Sequence, residues 1–401
     1  MTKSRWSRLA AILMAASMVL AACGDDGGET GSDAEGNGDA GDKKSVAIGF
    51  VGPLTGDNAN LGVNIRDAMT VAVAEWNAKS TKYTYEIKEF DTQGDPAQAP
   101  GQKDKYVPDE SIIGIVGPTF SGETKAVLPD LDAAGLVMVS ASCTNVDLPN
   151  VVANSKVFHR LIPDDGVQAK GVTDYVIKSI KPTKVALIHD NTEYGKGLWE
   201  GVVTLLEEAG IDTSTTDAID PKSQDYSAAV NKVRAGKVDM VFYGGYYNEA
   251  GRFKKQLTDA GVTAKFISGD GSLDPGFVTS SGAAGGEGAL LTCPCRLATP
   301  DLEGKAGAFA TAYRDVVNRD PGTYSSEGYD AMNILIEGIE AGNDTRAKLL
   351  DYVENLGTFD GVSKTIEFEA NGNVKAGDVF VYEVKEGKIT ELGTTSELAG
   401  S

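Results

Sequence analysis

The sequence predicts an α/β protein of two doubly wound parallel-sheet lobes. Three observations carry this expectation. Short apolar segments alternate with helix-period segments along most of the chain, the pattern of parallel sheets covered on both faces. The 401 residues suggest two or three domains at roughly 150 residues each. No Pro/Ser-rich linker separates the βα blocks, so the lobes are expected to be joined by several crossings. Composition agrees. Apolar residues are 41% and charged residues 24%, ordinary values for a soluble globular chain that exclude disordered, collagen-like and polytopic membrane classes. The net charge of −21 has no basic patch against it, so no nucleic acid is expected as a partner. Four cysteines and two histidines are too few for a disulfide scaffold or a histidine-based metal site. No cofactor or metal is expected.

In chain order, the first segment is an address. Lys3, Arg5 and Arg8 precede a run from Leu9 to Leu20 that is apolar except for Ser17, followed by Ala21, Ala22 and Cys23. The run is too short for a hydrocarbon core of ~30 Å and suits a signal-peptide h-region. Leu20-Ala21-Ala22-Cys23 resembles the lipobox of bacterial lipoproteins, which implies cleavage after residue 22 and a diacylglycerol on the Cys23 sulfur. A plain signal peptide ending in cysteine is the alternative. Residues 24–42 hold seven glycines, seven acids and no large apolar residue. Such a segment cannot offset its ordering entropy and reads as a flexible tether. Its acids lack the ligand spacing of a calcium site. The body beyond it is also acidic, so acyl chains rather than surface charge would hold it to anionic lipid.

Ser45–Gly52 then reads as an apolar strand. Ile65, Met69, Ala72, Val73 and Trp76 share one helix face at a 3.6-residue period. Tyr83–Phe90 alternates as a strand. Ile112–Val116 is a buried strand, Thr124–Ala134 a helix and Leu136–Ser140 a strand. Gly166–Ile180, Lys184–His189 and Tyr194–Ala209 read as helix, strand, helix. Tyr226–Ala235, Met240–Tyr243, Glu249–Ala260 and Phe266–Ser268 continue helix, strand, helix, strand. A strand through Leu291 and helices around Phe309–Val317 and Tyr329–Ile339 follow. A final hairpin is expected between Thr365–Phe368 and Val379–Val384, with Asn371-Gly372 near its turn. No repeat of 20–50 residues is evident, which excludes a solenoid.

Ligands of open α/β sheets bind beyond the carboxyl ends of the strands, so the loops there are the candidate site. They are Gly117-Pro118-Thr119-Phe120-Ser121-Gly122-Glu123-Thr124, Ser140-Ala141-Ser142-Cys143-Thr144-Asn145, His189-Asp190-Asn191-Thr192-Glu193-Tyr194-Gly195 and Tyr243-Gly244-Gly245-Tyr246-Tyr247-Asn248-Glu249. In this order, behind a lipobox, the chain from about Val46 to the final hairpin resembles the substrate-binding proteins of branched-chain amino-acid ABC importers (the leucine/isoleucine/valine-binding family). The resemblance implies a type I periplasmic binding fold, two lobes with a multi-strand hinge. Residues 1–22 would be the signal peptide and 23–42 the lipidated cysteine and tether. The N-terminal lobe would take 43–161 with 272–377 returning to it, and the C-terminal lobe 162–271 with 378–395.

An α-amino acid presents a carboxylate, an ammonium and a side chain. Ser121 opens a helix whose free N–H groups and dipole favour a carboxylate, and its hydroxyl adds a donor; a simple N-cap is its other reading. Thr144 offers a hydroxyl after a strand, where turn chemistry also accounts for it. Glu249 begins a helix and suits its dipole, while the resemblance has it meet the ligand ammonium. The resemblance further implies that Tyr194 closes over the ligand, that Ser142 lends its carbonyl to the ammonium and that Tyr226 lines the pocket. Packing alone also explains Tyr194 and Tyr226. Leu61 stands where relatives often carry an aromatic residue, and Phe120 where they often carry a small one. Both departures bear on side-chain preference rather than on the head group. Asp270 reads as a turn aspartate or as a second acid beside Glu249.

Other motifs fail. Gly195-Lys196-Gly197 with Gly201 misses the spacing of a dinucleotide fingerprint, and no GxxxxGK[ST] or GxSxG occurs. His159 and His189 lack ligand sets. Cys143, Cys293 and Cys295 leave two pairings open, Cys143 with the Cys293-Pro294-Cys295 segment or Cys293 with Cys295. The expectation is therefore a monomeric, non-enzymatic, extracytoplasmic lipoprotein anchored to the cell membrane. It would pass an amino acid with a branched aliphatic side chain to an ABC permease. The alternatives are an amide, urea or other small polar ligand on the same fold, a sensor, or an extracytoplasmic α/β enzyme. An enzyme should show a base, nucleophile or metal cluster in these loops, and no such set is evident.

Overall fold

The first apolar run becomes β1 (Lys44–Gly52), and its alternation places the two faces of one sheet. Val46, Ile48 and Phe50 join one apolar core while Ala47 and Val51 join another, as a period of two requires. The computed structural model describes residues 43–375 and 377–400. The expected signal peptide, Cys23 and tether lie outside the described residues. Around β1 run β2 (Tyr83–Asp91), β3 (Ile112–Val116), β4 (Val137–Ser140) and β5 (Phe158–Arg160), all parallel, in the order β2-β1-β3-β4-β5. Helices α1 (Ala59–Lys79), α2 (Ala99–Tyr106) and α3 (Ser121–Ala134) connect them. Every residue of β3 is buried, which is why it reads as an unbroken apolar run.

The second sheet begins after α4 (Asp165–Tyr175), which ends in a π-helical turn to Ile180. Its strands are β6 (Lys184–His189), β7 (Asp212–Ala218), β8 (Met240–Gly244), β9 (Lys265–Ser268) and β10 (Leu290–Cys293). Helices α5 (Glu193–Glu208), α6 (Ser227–Gly236), α7 (Tyr247–Asp259), α8 (Pro275–Ser281) and α9 (Ala283–Gly286) join them. Next, α10 (Gly304–Val317), α11 (Ser325–Glu340) and α12 (Arg346–Glu354) return to the first sheet, where α11 packs on α1 and α12 on β3. A small antiparallel pair, β11 (Thr358–Asp360) and β12 (Thr365–Glu367), precedes β13 (Phe380–Lys385), β14 (Lys388–Thr394) and α13 (Thr395–Gly400). The second sheet has the order β14-β13-β10-β9-β8-β6-β7. It is parallel except for the two pairings of β13. The chain thus passes between the two halves three times, before α4, after β10 and before β13.

Two expectations are corrected. Residues 272–377 do not all return to the first lobe as expected, because β10 pairs in parallel with β9 and so belongs to the second sheet. The crossing falls after Cys293. The final hairpin is not between Thr365–Phe368 and Val379–Val384. Glu386 and Gly387 have φ of 51° and 72° and turn β13 into β14. Asn371-Gly372 closes only the isolated bridge of Phe368 with Val374. Of the cysteine pairings left open, Cys293 is bonded to Cys295, with Cα atoms 4.9 Å apart, and Cys143 is a buried free thiol. Among the described residues no helix is long and apolar enough to cross a membrane.

Candidate functional site

The β3–α3 turn comes close to the neighbouring strand. A Cβ on Gly117 would lie 2.2 Å from the Val51 carbonyl oxygen, and its φ is 116°, so the turn needs glycine. The chain then enters α3 through Phe120 in an extended conformation. Its N–H donates to Glu123 Oε2 at 2.7 Å, and the Thr92 hydroxyl donates to the other Glu123 oxygen. Glu123 thus caps α3 from inside the fold. Burial pushes its carboxyl up to about 7. Ser121 is the first helical residue. Its Oγ accepts the Asn145 N–H at 3.2 Å, which leaves the hydroxyl hydrogen to donate elsewhere. The loop after β4 is fixed from behind. Arg160, whose side chain is fully buried, donates to the carbonyls of Cys143 (3.2 Å) and Asn145 (2.8 Å) and is held by Asn373 and Asp164. The Ser142 hydroxyl donates to the Thr119 carbonyl at 2.6 Å.

These loops bring Thr144 to a pair of acids. The Asp165 N–H donates to the Thr144 carbonyl at 2.8 Å. The Thr144 hydroxyl and both carboxylate oxygens of Asp165 are buried and make no hydrogen bond of ordinary geometry, and that hydroxyl is the one side-chain donor that lowers the Asp165 pKa. Burial, and then the charge of Asp270, hold the Asp165 carboxyl well above the usual range. Asp270 is buried too, which raises its pKa against three donors that lower it. They are the Tyr194 hydroxyl (2.7 Å), Gln168 Nε2 (2.7 Å) and the Tyr324 hydroxyl (2.6 Å). Burial also keeps the Tyr194 phenol protonated and able to donate. A buried carboxylate without a donor is costly unless a cation meets it. Two buried acids with one hydroxyl between the halves therefore make a cation-seeking centre. Among the described residues no group of three or more metal-ligating side chains occurs.

A second acid pair is distinct from the first. Glu249 Oε1 accepts the Tyr246 N–H at 3.2 Å, so Glu249 caps α7 as Glu123 caps α3. Its Oε2, Asp190 Oδ2 and the Tyr243 hydroxyl are buried without partners. Burial, reinforced by the charge of Asp190, raises Glu249 to about 8, and burial raises Asp190 to about 6. Glu249 thus has Asp190 as its charged neighbour, where Asp165 has Asp270.

Of the sequence-predicted residues, Ser121, Ser142, Thr144 and Tyr194 lie on the facing loops. Tyr226 is placed elsewhere. Its ring packs edge-on to Phe253 and its hydroxyl accepts from Arg252 at 3.2 Å. Leu61 is fully buried in the apolar core on α1. The sequence gives no role to Asp165, Gln168, Tyr324 or Arg160, and Tyr246 stands in it only as part of a loop motif. Asp164-Asp165 carried a signal, because one acid suffices as N-cap. Asp164 takes that role with the N–H groups of Gly166 and Val167, and the second acid is left unexplained.

The halves meet around this centre. Asn145 Nδ2 donates to the Glu193 carbonyl at 2.8 Å, Asn60 Nδ2 to Asp274 at 2.8 Å, and Lys125 pairs with Glu193 at 2.9 Å. The Phe120 and Tyr246 rings lie 4.4 Å apart.

Residues 45–388 match the family model described as periplasmic binding protein. A Leu/Ile/Val-binding protein of Rhizobium johnstonii is 32% identical over 300 residues, 74% of this chain and 79% of that protein. A leucine-, isoleucine-, valine-, threonine- and alanine-binding protein of Pseudomonas aeruginosa is 26% identical over 343 residues, 84% of this chain and 90% of that one. The fold is shared with the branched-chain amino-acid transporter substrate-binding protein of Streptococcus pneumoniae in complex with isoleucine. The TM-score is 0.79 at 24% identity, over 87% of this chain and 100% of that one. A leucine-binding protein of Thermotoga maritima gives a TM-score of 0.79 at 24% identity, over 87% and 98%.

Proposed function

This chain belongs to the periplasmic binding protein family, and from that premise we propose that it captures an α-amino acid with a branched aliphatic side chain between its two halves and delivers it to an ABC permease. The observation that carries the head-group reading is the buried Asp165–Asp270 pair beside the Thr144 hydroxyl. An ammonium has three hydrogens for these groups and a charge for the two acids. The ligand carboxylate goes to the start of α3, where first-turn N–H groups, the helix dipole and the Ser121 hydroxyl favour an anion. Ser142 lends its carbonyl to the ammonium and Tyr194 closes over the ligand. A zwitterion so held bridges the halves, with its carboxylate on the first and its ammonium on acids of the second. The ammonium role that the resemblance gave to Glu249 passes to the Asp165–Asp270 pair, because that pair adjoins Thr144 of the opposite half and both Asp165 oxygens lack an ordinary hydrogen bond, whereas Glu249 caps α7 beside Asp190. The branched aliphatic preference is supported by the names of the relatives.

Calorimetry with amino acids, simple amides, urea and the des-amino analogue of leucine tests this reading. Leucine, isoleucine or valine should bind, and the des-amino analogue should not. Asp270→Asn should lose about 30- to 5,000-fold in affinity, as expected for truncating one partner of a buried charge pair at ~2–5 kcal/mol. Tight binding of urea or of the des-amino acid, or Asp270→Asn within about twofold of wild type, would sink the amino-acid reading.

Anchoring through Cys23 belongs to the same proposal. Cys23→Ser should leave the body folded and binding but move it from the membrane fraction to the soluble one, because anchoring depends on the acyl chains. A variant that stays in the membrane pellet refutes lipidation at Cys23.

A further inference from the structure

Phe120 stands between the start of α3 and the rim of the cleft, and the head-group chemistry does not use its side chain. Its ring faces that of Tyr246 across the two halves at 4.4 Å and 37°, and Tyr246 is backed by Tyr194 at 5.1 Å. Both rings are fixed from behind. A Cβ on Gly94 would lie 2.8 Å from Phe120 Cε2, and one on Gly271 3.0 Å from Tyr246 Cδ1, so each ring rests on bare backbone. The Phe120 N–H is held by Glu123. Both residues are buried, at 6% and 7% exposure, yet both also line an open groove of about 660 Å³ along the rim, with Gly122 and Glu193.

Neither ring can withdraw into its own half, so parting the halves wets both facing surfaces. The polar contacts across the rim differ in kind. Asn145, Asn60, Lys125 and their partners exchange each other for water at little net cost, whereas two aromatic faces gain nothing from water. We infer that the Phe120–Tyr246 contact is a latch, an apolar clasp that sets how long the halves stay together and hence how long a captured ligand is retained. The retention part rests on the proposed capture of an amino acid; the clasp itself does not.

The test is built so that the two can fail separately. A Cβ on Gly122 would lie 3.8 Å from Glu193 Cγ. A Gly122→Cys/Glu193→Cys pair in the full chain therefore oxidises to a disulfide only when the rim is closed. In the ligand-free protein, Phe120→Ala should slow this cross-linking at least roughly threefold, in proportion to the closed population, and Phe120→Tyr should restore it. An unchanged cross-linking rate overturns the latch. In stopped-flow release of L-isoleucine, Phe120→Ala should raise koff about tenfold with kon within about twofold or faster. A fall in kon with unchanged koff also overturns it. If the wild type does not bind isoleucine, the functional reading fails while the ligand-free cross-linking still decides the latch. Should Phe120→Ala not fold, Phe120→Leu, which keeps apolar bulk over Gly94 but removes the ring, is read by the same criterion.

Discussion

Glu249 and Asp190 are neighbouring buried acids, and the charge of Arg252 offsets only a minor part of the rise in Glu249. Burial raises Glu249 from its ordinary value of 4.5 to about 8, so the folded state prefers its neutral form. A carboxyl raised on folding stabilises most below its unfolded value and loses that contribution as pH rises through the folded one. The ligand-free protein should therefore melt at progressively lower temperature from about pH 5 to pH 8. Glu249→Gln keeps an oxygen for the Tyr246 N–H and carries no charge beside Asp190, so its melting profile should be flatter over that window. Thermal melts of the two proteins check this, and parallel profiles would count against it. At this scale the sequence was partly legible. Ser121 and Thr144 were found because they follow strands, where ligands of α/β sheets gather. Asp270 was left undecided and Asp165 was missed, because an acid at a turn or a helix start is already explained by capping. Only the folded structure separates Asp164, which caps α4, from Asp165, whose carboxylate turns to the Thr144 hydroxyl instead of to the helix.

Helix α3 carries the carboxylate end of the proposed site, and its start depends on a residue inside it. Glu123→Ala removes the acceptor for the Phe120 N–H and takes from the Thr92 hydroxyl the carboxylate it donates to. Loss of such a cap should cost about 0.5–2 kcal/mol and show as a lower melting temperature with weakened ligand binding. Thr92→Val, which strands the buried Glu123 carboxyl instead, should destabilise in the same direction by roughly 1–3 kcal/mol. A Glu123→Ala protein that melts and binds as the wild type does would deny the cap its role. Central strands and amphipathic helices were readable because burial writes itself as apolar periodicity. Strand β7 was not: its sequence DTSTTDA is polar, as an edge position permits, and it lies at the end of the second sheet. The closing hairpin was misread because Asn371-Gly372 is the stronger local turn signal. Glu386-Gly387 wins because β13 must lie antiparallel along β10.

Two βα sheets, three chain crossings and four loops at strand ends were legible in the sequence as an architecture. The boundary after β10 was not, because the return of a strand to one sheet or the other is decided by pairing that has no local signature. The structure brings Ser121 and Thr144 from one half and Asp165, Tyr194 and Asp270 from the other around one buried centre, which suits capture by closure rather than binding on a single surface. The account stands on where the ligand ammonium goes. A crystal structure of the protein with L-isoleucine should place that nitrogen within hydrogen-bond distance, about 2.7–3.2 Å, of Asp270 or Asp165 and of the Thr144 hydroxyl, with the ligand carboxylate at Ser121. An ammonium held instead by Glu249 and Asp190, or an isoleucine bound outside the space between the halves, would contradict it.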